Sequence, residues 1–105
     1  MDPQDAYLRA ILATVARQTF PVEKILEIMG PKAGEKQYRA FNMCDGTNTQ
    51  AQITKELGLD PSNFSKTLGR WVDEGIVIRV TEQNEARPVH VYPLPESKMK
   101  EAAKQ

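Results

Sequence analysis

Tyr7, Leu8, Ile11, Leu12 and Val15 recur at helical spacing and form one apolar stripe, with Arg9 and Arg17 off it. Asp2-Pro3 supplies an N-cap followed by a proline at the first helical position, and Pro21 interrupts the segment. Val22, Ile25, Leu26 and Met29 repeat the pattern in a second, shorter helix that Gly30-Pro31 stops, with 31–34 as a linker. A third helix is expected over Glu35 to Cys44, burying Tyr38 and Phe41, with Cys44 a further core candidate. Asp45-Gly46 ends it.

The segment TQAQITKELGLDPSNFSKTLGRWVD, Thr49 to Asp73, reads as two short helices joined by a tight turn. Thr49 with Gln52 three residues on fits a capping box. Ile53 and Leu57 point inward, Gly58 closes the helix and Leu59 packs behind it. Asp60-Pro61 then repeats the cap-plus-proline signature. Phe64, Leu68, Trp71 and Val72 fall on one side of the new helix, and Gly75 ends it. The β-branched run 76–80 reads as a strand, 82–88 as a polar loop and 89–92 as the return strand, ended by Pro93 and Pro95. Residues 96–105 read as a short helix or a frayed tail.

The fold class expected is mainly α with a small β-hairpin (α+β): a winged helix-turn-helix preceded by N-terminal helices. Residues 1–34 form the N-terminal helices and a candidate dimerisation segment, 35–95 the winged domain and 96–105 the charged tail. A helix-turn-helix places its second helix in the DNA major groove, so the expected function is sequence-specific reading of double-stranded DNA by helix 61–74, with the wing 76–92 near the minor groove.

Composition narrows this picture. At 105 residues the chain fits one domain, and 40% hydrophobic with 27% charged residues allows a packed core. No apolar run is long enough to span a membrane, and the N-terminus lacks the pattern of a secretory signal. The cytoplasm is the expected address, since Cys44 is the single cysteine and allows no intrachain disulfide. The 14 basic and 14 acidic side chains cancel, which argues against nonspecific coating of DNA. A specific reader depends instead on how its basic groups are distributed.

On helix 61–74 the side opposite Phe64 and Leu68 carries Ser62, Asn63, Lys66, Gly69 and Arg70. Asn63 and Arg70 have the geometry to pair with adenine and guanine edges, while Ser62, Ser65 and Lys66 suit phosphate. The helix N-terminus adds free N–H groups. Thr47, Asn48 and Gln50 are candidate phosphate contacts, against the alternative of plain capping. In the wing, Arg87 is the minor-groove candidate, with Arg79, Gln83 and Asn84 as further contacts. The alternative is a solvated hairpin tip, since the loop carries Glu82 and Glu85 beside Arg87.

Trp71 belongs to the core stripe. His90 stands alone in a strand with no metal-ligand partner at useful spacing, so no metal or cofactor is expected. Cys44 reads as a buried thiol, with redox sensing as the weaker alternative. One histidine, no nucleophile elbow, no phosphate-binding glycine loop and no clustered carboxylates leave no catalytic constellation, and an enzyme is not expected.

Residues 38–92 resemble the winged helix-turn-helix of small MarR-type and ArsR-type transcriptional regulators. The resemblance is carried by Ile53, Leu57, Gly58 and Leu59, then Phe64-Ser65-Lys66, Leu68, Trp71 and Gly75-Ile76-Val77. It implies double-stranded DNA as the partner and transcription regulation as the role. The chain is shorter than MarR-type proteins, whose long terminal helices build the dimer and a ligand pocket, and no small-molecule effector is indicated. The stripe of the first helix, with Val22, Ile25 and Met29, forms a candidate symmetric interface for a homodimer. Its alternative is packing of these helices within one monomer. The competing function is a winged-helix protein–protein adaptor without direct DNA binding.

Overall fold

The computed structural model describes residues 2–103. Among them the order is α1 (Pro3–Thr19), α2 (Val22–Met29), α3 (Glu35–Met43), α4 (Gln50–Leu57), α5 (Pro61–Asp73), β1 (Val77–Glu82), β2 (Glu85–His90) and α6 (Glu96–Ala103). The class is α+β: mainly helical, with one two-stranded antiparallel sheet. No helix of the described residues is long and apolar enough to cross a membrane.

Local chemistry accounts for the starts of α1, α4 and α5. Asp2 accepts from the Gln4 N–H ahead of Pro3, and Asp60 accepts from the Asn63 N–H ahead of Pro61. Thr49 and Gln52 close a reciprocal capping box at the start of α4. That helix ends on Gly58 in the left-handed conformation.

One core holds the elements together. Trp71, Phe41, Ile25, Ile53, Leu68 and Ile76 are fully buried within it, and Phe41 and Phe64 meet Trp71 edge-to-face at ring distances of 5.6 and 6.0 Å. Ile25 and Met29 belong to this core, at 0% and 2% exposure. Of the residues expected at a symmetric interface, these two pack instead within the monomer, the alternative weighed for this helix, while Val22 stays partly exposed.

α1 is different. Of its residues only Ala16 is buried, while Tyr7, Leu8, Ile11 and Val15 are all more than half exposed. Three polar contacts fasten it. Arg9 Nη1 donates to the Asp45 carbonyl at 3.0 Å, the Arg17 guanidinium lies 4.7 Å over the Tyr92 ring, and the Tyr92 hydroxyl donates to the Phe20 carbonyl just past the helix.

The hairpin departs from the expected boundaries. Residues 82–88 do not form a polar loop; the ladder runs from Val77↔His90 to Glu82↔Glu85, leaving only Gln83 and Asn84 as the turn. Both have positive φ, 54° and 67°, the geometry of a tight hairpin turn whose twist matches the strands. The return strand is accordingly 85–90 rather than 89–92. The segment after α3 lines the outer edge of β2: the His90 N–H donates to Cys44, the Gly46 N–H donates to Pro88, and Asp45 bridges Val89.

The C-terminal segment is a helix rather than a frayed tail. Met99 is 2% exposed and α6 packs on α3. Asn42 donates to the Leu94 carbonyl at 2.9 Å and accepts from the Leu94 N–H at 2.7 Å, fixing the chain just ahead of α6. Lys104 and Gln105, the last residues of the expected tail, lie outside the described residues.

Candidate nucleic-acid interface

α5 is amphipathic because Phe64, Leu68 and Trp71 take the core side. Ser62, Asn63, Ser65, Lys66 and Arg70 are all exposed, so the structure leaves these sequence-predicted residues together on the outer side of one helix. Lys66 forms no ion pair among the described residues. A Cβ placed on Gly69 would meet nothing within 4 Å, so the backbone there is open to approach.

Arg70 is already engaged. Its Nη2 donates to the Met29 carbonyl at 3.0 Å, at the C-terminal end of α2, a helix with no basic residue in its own last turn. A cation there complements the helix dipole and satisfies a carbonyl the helix leaves free. Arg70 thus tethers α2 to α5 in addition to sitting on the outer side.

The start of α5 is less open to phosphate than free N–H groups imply. Pro61 has no N–H and the Asn63 N–H is held by Asp60 at 2.9 Å. The Asp60 carboxylate occupies the place an anion would take. The spacing that reveals Asp60 as a cap is visible in the chain; its consequence for anion binding follows only from the bond.

Around α4, Thr47 is exposed but committed, its hydroxyl and N–H both directed to the Asp45 carboxylate at 2.6 and 2.9 Å. Asn48 donates to the Met43 carbonyl at 3.0 Å, a capping role. Gln50 stands half-buried at the first position of α4.

In the hairpin, Arg79 is exposed and forms no ion pair among the described residues, and Gln83 and Asn84 form the tip. Arg87 is drawn inward. Its Nη1 donates to the Thr47 carbonyl at 2.6 Å, its Nη2 pairs with Glu85 at 3.0 Å, and its Nε is buried without a partner. Thr47 and Arg87, assigned separately to phosphate and to the minor groove, touch each other and close the loop ahead of α4 against β2.

Arg9 is the residue that sequence reasoning missed. It meets the same loop from the other side, at Asp45, from 36 positions away. No local pattern marks such a contact; only the glycine that makes room for it, Gly46, is conspicuous in the chain.

The remaining candidates for chemistry, Cys44 and His90, are both engaged with the protein's own backbone. Cys44 is fully buried, its thiol donates to the Ala40 carbonyl at 3.2 Å, and burial with the nearby Asp45 charge pushes its pKa up to about 12. A thiol held protonated lacks the nucleophilic form that redox sensing requires. His90 stacks on Phe41 at 5.4 Å, its Nδ1 lies 2.9 Å from the Phe41 carbonyl, and burial lowers its pKa. No group of three His, Cys, Asp or Glu residues that could hold a metal ion occurs among the described residues.

Comparison with family models, curated proteins and solved structures gives no match to this chain.

Proposed function

We propose that this chain is a sequence-specific DNA-binding transcriptional regulator of winged helix-turn-helix form, with α5 as the recognition helix and β1–β2 as the wing. The observation that carries this is the outer side of α5. It gathers Asn63, Lys66 and the two serines on a helix whose other side is locked into the core, directly after a capped helix and a short turn. Asn63 and Lys66 are the base and phosphate contacts. Two copies associate through the exposed stripe of α1 and set two recognition helices on a two-fold site.

The test is fluorescence anisotropy with mixed duplex DNA over a range of salt, for the parent chain and Asn63→Ala/Lys66→Ala. Both side chains are exposed, so the pair leaves the core intact. Expected is binding that weakens with rising salt in the parent and falls at least tenfold in the variant. Equal binding by the two proteins would remove α5 from the interface, and absence of binding at low salt would end the DNA reading.

A protein–protein adaptor is the second reading. It is favoured by the engagement of Arg70 and Arg87 with backbone carbonyls, together with the zero net charge.

A further inference from the structure

We propose that the β1–β2 hairpin forms, together with α1, the surface through which two copies of this chain associate. The inference deepens the self-association proposed above and rests on it, but not on DNA binding.

A small hairpin ordinarily packs one side on the core and turns a polar side to water. Here both sides are apolar near the base. Val77 and Pro88 are buried on one. On the other, the register sets Ile78 opposite Val89 and Val80 opposite Arg87, and opposed residues share a side. Ile78 and Val80 remain 48% and 42% exposed. Leu8 and Leu12 of α1 join Ile78, Val80 and Val89 in lining one groove, yet Leu8 is still 57% exposed. The helix reaches the hairpin without covering it.

The stripe and the hairpin are therefore one continuous surface of seven large apolar side chains: Tyr7, Leu8, Ile11, Leu12, Val15, Ile78 and Val80. Their exposed area is on the order of 600 Å², at the upper end of the largest patch on a typical monomer and close to the ~800 Å² per partner of a standard interface.

A second copy fits this surface best. Isologous pairing sets an apolar stripe against an apolar stripe and needs no separately shaped partner. The charged residues in the groove, Asp5 and Arg9, have opposite sign, as do Arg87 and Glu85, which pair on the same side of the hairpin, so like charge does not hold two copies apart. Apolar side chains offer nothing to phosphate. The exposed Arg79, on the opposite side of β1 by strand alternation, stays outside this contact.

The experiment uses the whole chain without DNA. Sedimentation over a concentration series is run for the parent, Ile11→Glu and Val80→Glu, with circular dichroism to establish that each is folded. Expected is a dimer for the parent and a dissociation constant raised at least tenfold in both variants. A monomeric parent, or a Val80→Glu chain that dimerises like the parent, overturns the proposal.

A second measurement avoids disruptive substitutions. Because Cys44 is buried, a cysteine introduced at position 80 or 8 is the one accessible thiol. Chains carrying Val80→Cys and Leu8→Cys are mixed and mildly oxidised. A disulfide from position 80 of one chain to position 8 or 80 of another supports the shared surface, and the absence of both beside efficient linkage of an Ile11→Cys control chain to itself confines association to α1 and overturns the role of the hairpin. Loss of DNA binding with association intact would sink the regulator reading and leave this one standing.

Discussion

Arg70 on α5 donates to the Met29 carbonyl at the end of α2, 41 positions earlier in the chain, at 3.0 Å. The same side chain lies on the outer side of the candidate recognition helix. Arg70→Ala is expected to lower stability by about 1 kcal/mol, the usual net value of a hydrogen bond. Arg70→Lys is expected to recover only part, since an ammonium keeps the charge but not the planar fork. Urea unfolding of the three proteins checks this. An Arg70→Ala chain as stable as the parent would show that the tether is not maintained in solution.

Gly69→Ala separates stability from binding. Its Cβ meets no neighbour, and alanine in a helix interior is favoured over glycine by about 0.5–1 kcal/mol. The variant is expected to melt higher. If α5 enters a groove with its backbone close to the duplex at Gly69, DNA affinity falls at the same time. A stabilised variant with unchanged affinity would place Gly69 outside the contact.

Gly46 has φ +88°, and a Cβ there would lie 2.8 Å from Arg9 Nη2 and 3.3 Å from a Val89 methyl. Alanine is strained by the backbone alone and also displaces Arg9 from Asp45. Gly46→Ala is expected to cost about 1–3 kcal/mol. The backbone part persists when Arg9 is already alanine, whereas the Arg9 part disappears, and a double-mutant cycle by thermal melting measures the coupling. Strict additivity would refute the contact.

Burial lowers the pKa of His90 below its ordinary 6.5, partly opposed by the Phe41 carbonyl. Below about pH 6.5 the unfolded chain then binds more protons at this site than the folded one. The stabilising contribution is present above that pH and is lost as pH falls. The difference in unfolding free energy between the parent and His90→Gln is expected to shrink from pH 7 to pH 5. A difference constant over that range would mean an unperturbed imidazole.

Cys44 behaves oppositely because its neutral form is the protonated one. With the thiol pKa raised from 9.0 to about 12, its contribution to stability is intact below pH 9 and declines between pH 9 and 12, where only the unfolded chain ionises. At neutral pH the native protein is expected to resist a thiol reagent and to react fully once unfolded. Prompt reaction in the folded state would contradict the burial.

The helices are legible in the chain because their signals are local. The Asp-Pro starts, the Thr49/Gln52 box and Gly58 each act within one turn of backbone, and each recurs in the structure. Trp71 is equally readable, since its stripe has a single consistent partner side. The hairpin is misjudged for a definite reason. Gln83-Asn84 lacks the glycine that usually announces such a turn, and Pro88 suggests a break although its missing N–H is tolerated in so small a sheet. Residue type marks Arg70, Arg79 and Arg87 alike as cations. What distinguishes them is the carbonyl each finds or fails to find, and for Arg70 and Arg87 that carbonyl is 40 or more positions away. The inward turn of α2 is long-range in the same sense: its stripe resembles that of α1, and only the completed core shows which of the two is covered.

α1 satisfies its own backbone yet contributes one buried side chain to the molecule. Such a helix opens at a lower free energy than the core beneath it, and its amides exchange with solvent ahead of the rest. Under the self-association proposed here, only the closed form offers the whole surface to a second copy, so mass action slows that exchange and raises the melting temperature as protein concentration rises. The firmness of the N-terminal helix is then a property of how many copies are present rather than of one chain alone.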